Sequence, residues 1–244
     1  MAIIDLANPT RFFVLVNRLM PWLLVATAAA FACGLALVLG APDDYQQGAT
    51  AKIMFIHVPS AWLSMAIWSV MSIAALGTLV WRHPLADVAA KMAAPIGAAF
   101  TLQCLVTGSL WGRPMWGTYW VWDGRLTSVL VLFLMYLGVI ALWRTIEEPA
   151  RAARAVAILT LVGAINLPII KFSVDWWSTL HQPASVVRLG GPTIHPSLLT
   201  PLLVMALAFF LLFLTLHLAA MRNEIMRRRI RTLMMLQAGA ASGH

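Results

Sequence analysis

LMPWLLVATAAAFACGLALVLGAP, residues 19–42, runs for 24 residues between Arg18 and Asp43 without an Asp, Glu, Lys or Arg. About 20 apolar residues suffice to carry a helix across the hydrocarbon of a bilayer, where every backbone N–H and C=O must be paired within the segment. The stretch is therefore a membrane span, and the whole composition agrees. Hydrophobic residues make up 61% of the chain and charged residues 11%, against roughly half and a quarter in soluble domains. The run also exceeds the apolar core of about 7 to 15 residues typical of a cleaved signal peptide, so it is expected to stay as an anchor.

Further uncharged runs lie at residues 53–81, 92–112, 126–143, 155–170 and 189–221. The fold expected is all-α and polytopic, one membrane domain over residues 1–244 with six transmembrane helices. The fifth run, at sixteen residues, is short for a span unless Lys171 snorkels or the helix continues into IIKFSVDWW. Six crossings bring both termini to one side. Twelve of the 17 Lys and Arg fall in the N-terminal segment, the 82–91 and 144–154 loops and the segment after residue 221. Cytoplasmic loops collect Lys and Arg, so both termini are expected in the cytoplasm. The net charge of +8 is then largely a topology signal, and MRNEIMRRRIR (residues 221–231) needs no nucleic acid to explain it. A flexible cytoplasmic tail is expected over about residues 222–244.

Six of the 11 tryptophans, Trp111, Trp116, Trp120, Trp122, Trp176 and Trp177, fall on the opposite side, so the functional loops are expected to be the outer ones. In FIHVPSAW (residues 55–62) Pro59 suits the first turn of a helix, where its missing N–H costs nothing; this starts the second span near Val58 and puts His57 at its outer mouth. In SVDWWSTLHQP (residues 173–183) Asp175 reads as an N-cap and Pro183 as a stop. That predicts a short interfacial helix with Trp177 and His181 on one face.

The densest outer stretch is WGRPMWGTYWVWDGRLT, residues 111–127. It puts four indoles and Tyr119 into twelve residues, interleaved with glycines. An aromatic belt supplies scattered rings at the headgroup level; this cluster instead suits a large flat apolar ligand, with Arg113 and Arg125 able to pair with carboxylates. Haem, quinones and aromatic lipids all offer such faces. Iron separates them, because a porphyrin leaves two axial positions that imidazole fills. His83 falls on an inner loop, His217 near the inner end of the last helix and His244 at the C-terminus. His57, His181 and His195, the last in GGPTIHPS (residues 190–197), lie on the outer side, and the first two border aromatic residues. Asp123 reads as the N-cap of the fourth helix, with an arginine partner or an acceptor orienting a histidine as the alternatives. Cys33 and Cys104 form no CxxC or CxxCH and read as packing residues.

WGRPMWGTYWVWDGRLT, FIHVPSAW and NLPIIKFSVDWWSTLHQ (residues 166–182), set in a six-helix plan, resemble the cytochrome c maturation protein C branch of the tryptophan-rich WWD haem-handling proteins. The resemblance covers roughly residues 44–221 and includes APDDYQQG (residues 41–48) and MAAPIGAAFTL (residues 92–102), which carry no evident chemistry. It implies a bacterial inner-membrane protein, not an enzyme, that holds haem b non-covalently at the periplasmic surface, with His57 and His181 as axial ligands. The implied partners are a membrane-tethered periplasmic haem chaperone, ABC-type transporter subunits and a small single-helix subunit. Three other functions compete with this one: a haem-translocating channel, a scaffold subunit without its own haem site, and a quinone-linked enzyme.

Overall fold

The computed structural model describes residues 8–242, with side chains through residue 239; His244 lies outside the described residues. Among the described residues six helical segments are long and apolar enough to cross a membrane, as the charge-free runs predict. Asn8 opens α1 (Pro9–Gly40) by accepting from the N–H groups of Thr10 and Arg11 at 2.9 and 3.4 Å, with Pro9 at the first helical position. A 3-10 turn, Ala49–Ile53, leads directly into α2 (Met54–Leu79). The second span thus begins four residues before Val58, and Pro59 sits inside the helix. The sequence rule placed Pro59 at the first turn because the preceding 3-10 turn, which delivers the chain already coiled, leaves no such signature.

The third span, α3, runs from Ala86 to Trp116 and the fourth, α4, from Gly124 to Thr145. Its successor is built from two pieces, α5 (Pro149–Gly163) and α6 (Asn166–Trp176), which together cover Pro149–Trp176. The helix does continue into IIKFSVDWW, but with a break at Ala164 and Ile165. Pro168 explains it: proline has no N–H to donate to Ala164, and its ring crowds that carbonyl, so the chain restarts with proline in a first turn. Asn166 braces the restart by donating to the Ser128 carbonyl at 2.8 Å.

Asp175 consequently lies in the last turn of α6, not at an N-cap. Trp177 follows as the C-cap with extended backbone. Residues 178–195 contain no helix, so the expected interfacial helix is absent, and Trp177 and His181 share no helical face. The last helix, α7, runs from Pro196 to Ser242. Residues 222–242, expected as a tail, continue it as helix, because no Gly or Pro interrupts the chain between Pro201 and Gly239.

The core forms where α2 to α5 meet. Trp68 and Tyr136, both fully buried, stack edge to face at 4.7 Å. Trp68 Nε1 donates to the Thr160 carbonyl at 3.0 Å and the Tyr136 hydroxyl to the Ser64 carbonyl at 2.8 Å. Gly97 and Gly163 give the two rings room: a Cβ at Gly97 would fall 2.3 Å from Tyr136, and one at Gly163 2.5 Å from Trp68. MAAPIGAAFTL, which contains Gly97, thus serves packing. Helices α1 and α7 pair along their length, with Thr27 and Thr215 hydroxyls 3.0 Å apart and Phe31 against Phe209. Cys104 is buried as expected, whereas Cys33 is exposed on α1.

Candidate haem-handling site

Three segments converge at the end of the bundle away from the termini: the start of α2, the α3–α4 connection and the chain after α6. The tryptophan-rich stretch is only partly a loop. Trp111, Arg113 and Trp116 ride on the last turns of α3, which Gly117 ends in the left-handed conformation at φ 75°, and Tyr119, Trp120, Trp122 and Asp123 form the link into α4. Gly117 suits this role because a residue with a Cβ would be strained there.

His57 lies in the first turn of α2, against α3. Its Nδ1 is 3.1 Å from the Cys104 carbonyl and 3.1 Å from Thr107 Oγ1. A carbonyl only accepts, so Nδ1 carries the proton and Nε2 keeps a lone pair. Among the described residues no hydrogen bond reaches that Nε2. Gly108 makes the approach possible, since a Cβ there would lie 2.9 Å from His57 Cε1. The Trp111 indole meets the imidazole edge to face at 5.7 Å and is itself held by Nε1 donating to Gln47 Oε1 at 2.8 Å.

His181 repeats this pattern from a different segment. Its Nδ1 lies 3.3 Å from Asp123 Oδ2, again leaving Nε2 without a partner among the described residues. The Trp116 indole packs against it at 4.9 Å. Each histidine is therefore tied back through Nδ1, and each meets an indole from the end of α3.

Asp123 uses its two carboxylate oxygens differently. Oδ1 accepts from the Leu126 N–H at 2.8 Å and caps α4, while Oδ2 accepts from the Thr179 hydroxyl and faces His181. Burial pushes this carboxyl up, but the hydrogen bonds from Thr179 and Leu126 and the adjacent His181 outweigh it and hold Asp123 below the ordinary carboxylate range. For His181, burial is the largest influence and lowers the pKa. Asp123 opposes it, Arg125 adds to it, and the net direction is down. The imidazole is neutral at neutral pH.

The remaining rings of the tryptophan-rich segments pack on one another and on the helix ends. Trp120 and Trp122 meet edge to face at 5.4 Å, and Trp122 is 74% exposed. Trp177 lies over Gly124, whose missing Cβ would sit 3.0 Å from the indole, and Trp176 stacks on Phe172. Arg113 donates to the Gly117 carbonyl and lies over Tyr119, at 5.5 Å. Among the described residues Arg125 reaches only the Lys171 carbonyl, at 3.4 Å, and its buried Nε has no partner there, nor has the buried Trp120 Nε1. His195 points elsewhere, pairing with Ser197 at the start of α7.

Gln47, Thr107, Gly108 and Thr179 were missed in the sequence. Gln47 belongs to APDDYQQG, so that segment supports the site after all. No pattern could have marked these residues, because each acts through a contact with a residue far along the chain or through a missing side chain.

The heme exporter protein C family matches residues 2–236 of this chain. The heme exporter protein C of Bradyrhizobium diazoefficiens is 74% identical over 238 residues, covering 98% of this chain and 90% of that protein. That of Escherichia coli is 47% identical over 223 residues, 91% of this chain and 90% of its own. A mitochondrial protein of Marchantia polymorpha, named as ccmC-like and for cytochrome c biosynthesis, is 51% identical over 172 residues, 70% of this chain and 72% of that one. The chain belongs to the heme exporter protein C family.

Proposed function

We propose that this protein delivers haem for cytochrome c maturation, holding it at the periplasmic surface of the bacterial inner membrane and presenting it to a membrane-tethered haem chaperone. The names of its relatives support the haem role, and the Marchantia relative's name supports the link to cytochrome c. Haem is cargo here, and the protein acts as a carrier and not as an enzyme. The distribution of Lys and Arg supports cytoplasmic termini, with the site on the outer face.

One observation carries the reading: two imidazoles from distant segments have Nδ1 anchored and Nε2 open, each beside an indole from the end of α3. Hydrogen bonding at one ring nitrogen fixes the tautomer and orientation of the other as a metal ligand. His57 and His181 would bind iron from the two faces, leaving no open position for oxygen chemistry. The exposed indoles would supply apolar contact area for the ring. The unpartnered Nε–H of Arg125 and Nε1–H of Trp120 are donors suited to a propionate, with Arg113 further out. Ligation through neutral side chains is reversible, as a carrier requires, and no CxxCH is present to bond haem covalently. ABC-type subunits and a small single-helix subunit complete the assembly.

Haem-loaded membranes containing this protein, mixed with the periplasmic chaperone, test the proposal. The native chain transfers haem to the chaperone and the His57→Ala/His181→Ala chain does not. Equal transfer by both would reject the reading.

A further inference from the structure

The two candidate iron ligands rest on different kinds of support. His57 belongs to the interior. Its turn of α2 is bracketed by Phe55 and Ser60, both fully buried, and Ser60 Oγ donates to Gln103 Oε1 of α3 at 2.9 Å, beside the contacts of His57 itself with Cys104 and Thr107. Two long helices would have to part before that ring could move.

His181 follows instead an arm that starts at the break in the fifth span. The Ile165 N–H bonds to the Val162 carbonyl at 3.2 Å and the Leu167 N–H to that of Ala164 at 3.1 Å, the tighter 3-10 spacing. Pro168 donates nothing, so the ladder that stiffens a helix is interrupted between α5 and α6, and such a stretch within a helix is where hinges form. Ile165 is 68% exposed, and of α6 only Ile170 and Ser173 are buried. Among the described residues, the side-chain hydrogen bonds between residues 166–181 and other segments all reach Asp123, Arg125 or Ser128 at the start of α4, and Trp177 lies over Gly124 in the same turn. After His181 the chain is non-helical through residue 195, and Gln182, Pro183 and Ala184 are exposed, which gives the arm slack at its far end.

We propose that haem is handed over by exchange of the His181 ligand, the arm swinging out about Ala164 and Ile165 while His57 keeps hold of the iron. The inference rests on the haem-carrying reading above. In the exchange His181 Nε2 withdraws its lone pair from iron and a neutral donor of the chaperone supplies another; no proton or electron is transferred. One fixed ligand keeps the porphyrin oriented while its other face opens to the partner, the gating role that hinged segments serve at other sites. A break that served only to seat Pro168 would require no difference in anchorage between the two histidines.

Gly124 and Ser173 face each other across the seam between α4 and the arm: a Cβ at Gly124 would lie 3.5 Å from that of Ser173, within the separation of about 3.5 to 4.5 Å that a disulfide spans. The test loads haem into the Gly124→Cys/Ser173→Cys protein, built in a Cys33→Ala chain, with the pair reduced. It then leaves the pair open or oxidises it, and adds the periplasmic chaperone. The Trp177 indole, 3.0 Å from the same position, must give way in both forms, so their difference reports the lock alone. The open form transfers haem and the locked form keeps it; equal transfer overturns the proposal. In the same assay His181→Gly with free imidazole in its place still transfers, and His57→Gly with imidazole does not; equal behaviour of the two, or the reverse order, overturns it. Should the cysteine pair fail to fold, hydrogen exchange on the native chain decides. Amides of residues 166–176 are less protected without haem and gain protection on loading, while those of residues 54–64 stay protected throughout; an arm that exchanges alike with and without haem overturns the proposal. A haem spectrum that is the same with and without both histidines refutes the carrier reading itself, and this inference with it.

Discussion

Asp123→Asn separates the two roles of a single carboxylate. The cap on α4 survives, because Asn Oδ1 can accept from the Leu126 N–H as Asp Oδ1 does at 2.8 Å, and Asn and Asp cap comparably. The other carboxylate oxygen becomes an NH₂ group, which donates. The Thr179 hydroxyl can turn to accept from it. His181 Nδ1, 3.3 Å from that position, must then accept as well, and the imidazole proton moves to Nε2. A protonated Nε2 has no lone pair for iron. Disturbing the group that orients a metal-binding histidine costs about 10- to 100-fold in affinity, or about 1.4 to 2.7 kcal/mol, and we expect haem affinity to fall by that factor. Unfolding stability should remain within about 1 kcal/mol, since cap and packing are kept. Haem titration followed at the Soret band, paired with thermal unfolding in detergent, measures both. Unchanged haem affinity in Asp123→Asn, with Asp123→Ala destabilised, would reduce Asp123 to a helix cap and refute the argument.

Gly108→Ala places a Cβ 2.9 Å from His57 Cε1 and swings the ring off its Cys104 anchor. Haem affinity falls about ten-fold or more while unfolding temperature holds or rises, Ala being the better helix former. Gly97→Ala acts in the opposite sense: its Cβ would meet the buried Tyr136 ring at 2.3 Å, so stability falls by about 1 to 3 kcal/mol or more by thermal unfolding, with the tryptophan-bearing end undisturbed. Acid also has a defined direction. His181 titrates below its ordinary value, so Nε2 stays available to iron at and above about pH 6.5, and haem release in a pH titration sets in only below that. As pH drops under about 6.5 the unfolded chain takes up a proton at His181 before the folded chain does, and that share of stability is progressively lost. For Asp123 the sign gives stability present above about pH 3.9 and lost as pH falls through its lower folded value. Release that begins above pH 7 would contradict the assignment.

The six spans were legible because a bilayer demands long charge-free runs, and that demand is local in sequence. Asp123 was legible for a similar reason, since a cap acts within three residues. What escaped was non-local or ambiguous. The bond from Trp111 to Gln47 crosses 64 positions, and the Asp123 contact with Thr179 crosses 56; neither leaves a periodic trace. Asp175 misled because a carboxylate in an exposed last turn looks, in sequence, like one that starts a helix, whereas the true restart signal was Pro168. Pro59 misled by assuming that proline marks the first turn, when a 3-10 turn had already set the coil. The histidine pair and its indoles were visible as residue types, but the anchoring of Nδ1 on both rings emerges only once α2, α3 and the chain after α6 are brought together.

The central claim is tested most directly by the absorption spectrum of the purified, haem-loaded protein beside its His57→Ala and His181→Ala variants. The account predicts a six-coordinate low-spin spectrum for the native chain and a changed ligation state in each variant. Identical spectra in all three would contradict it.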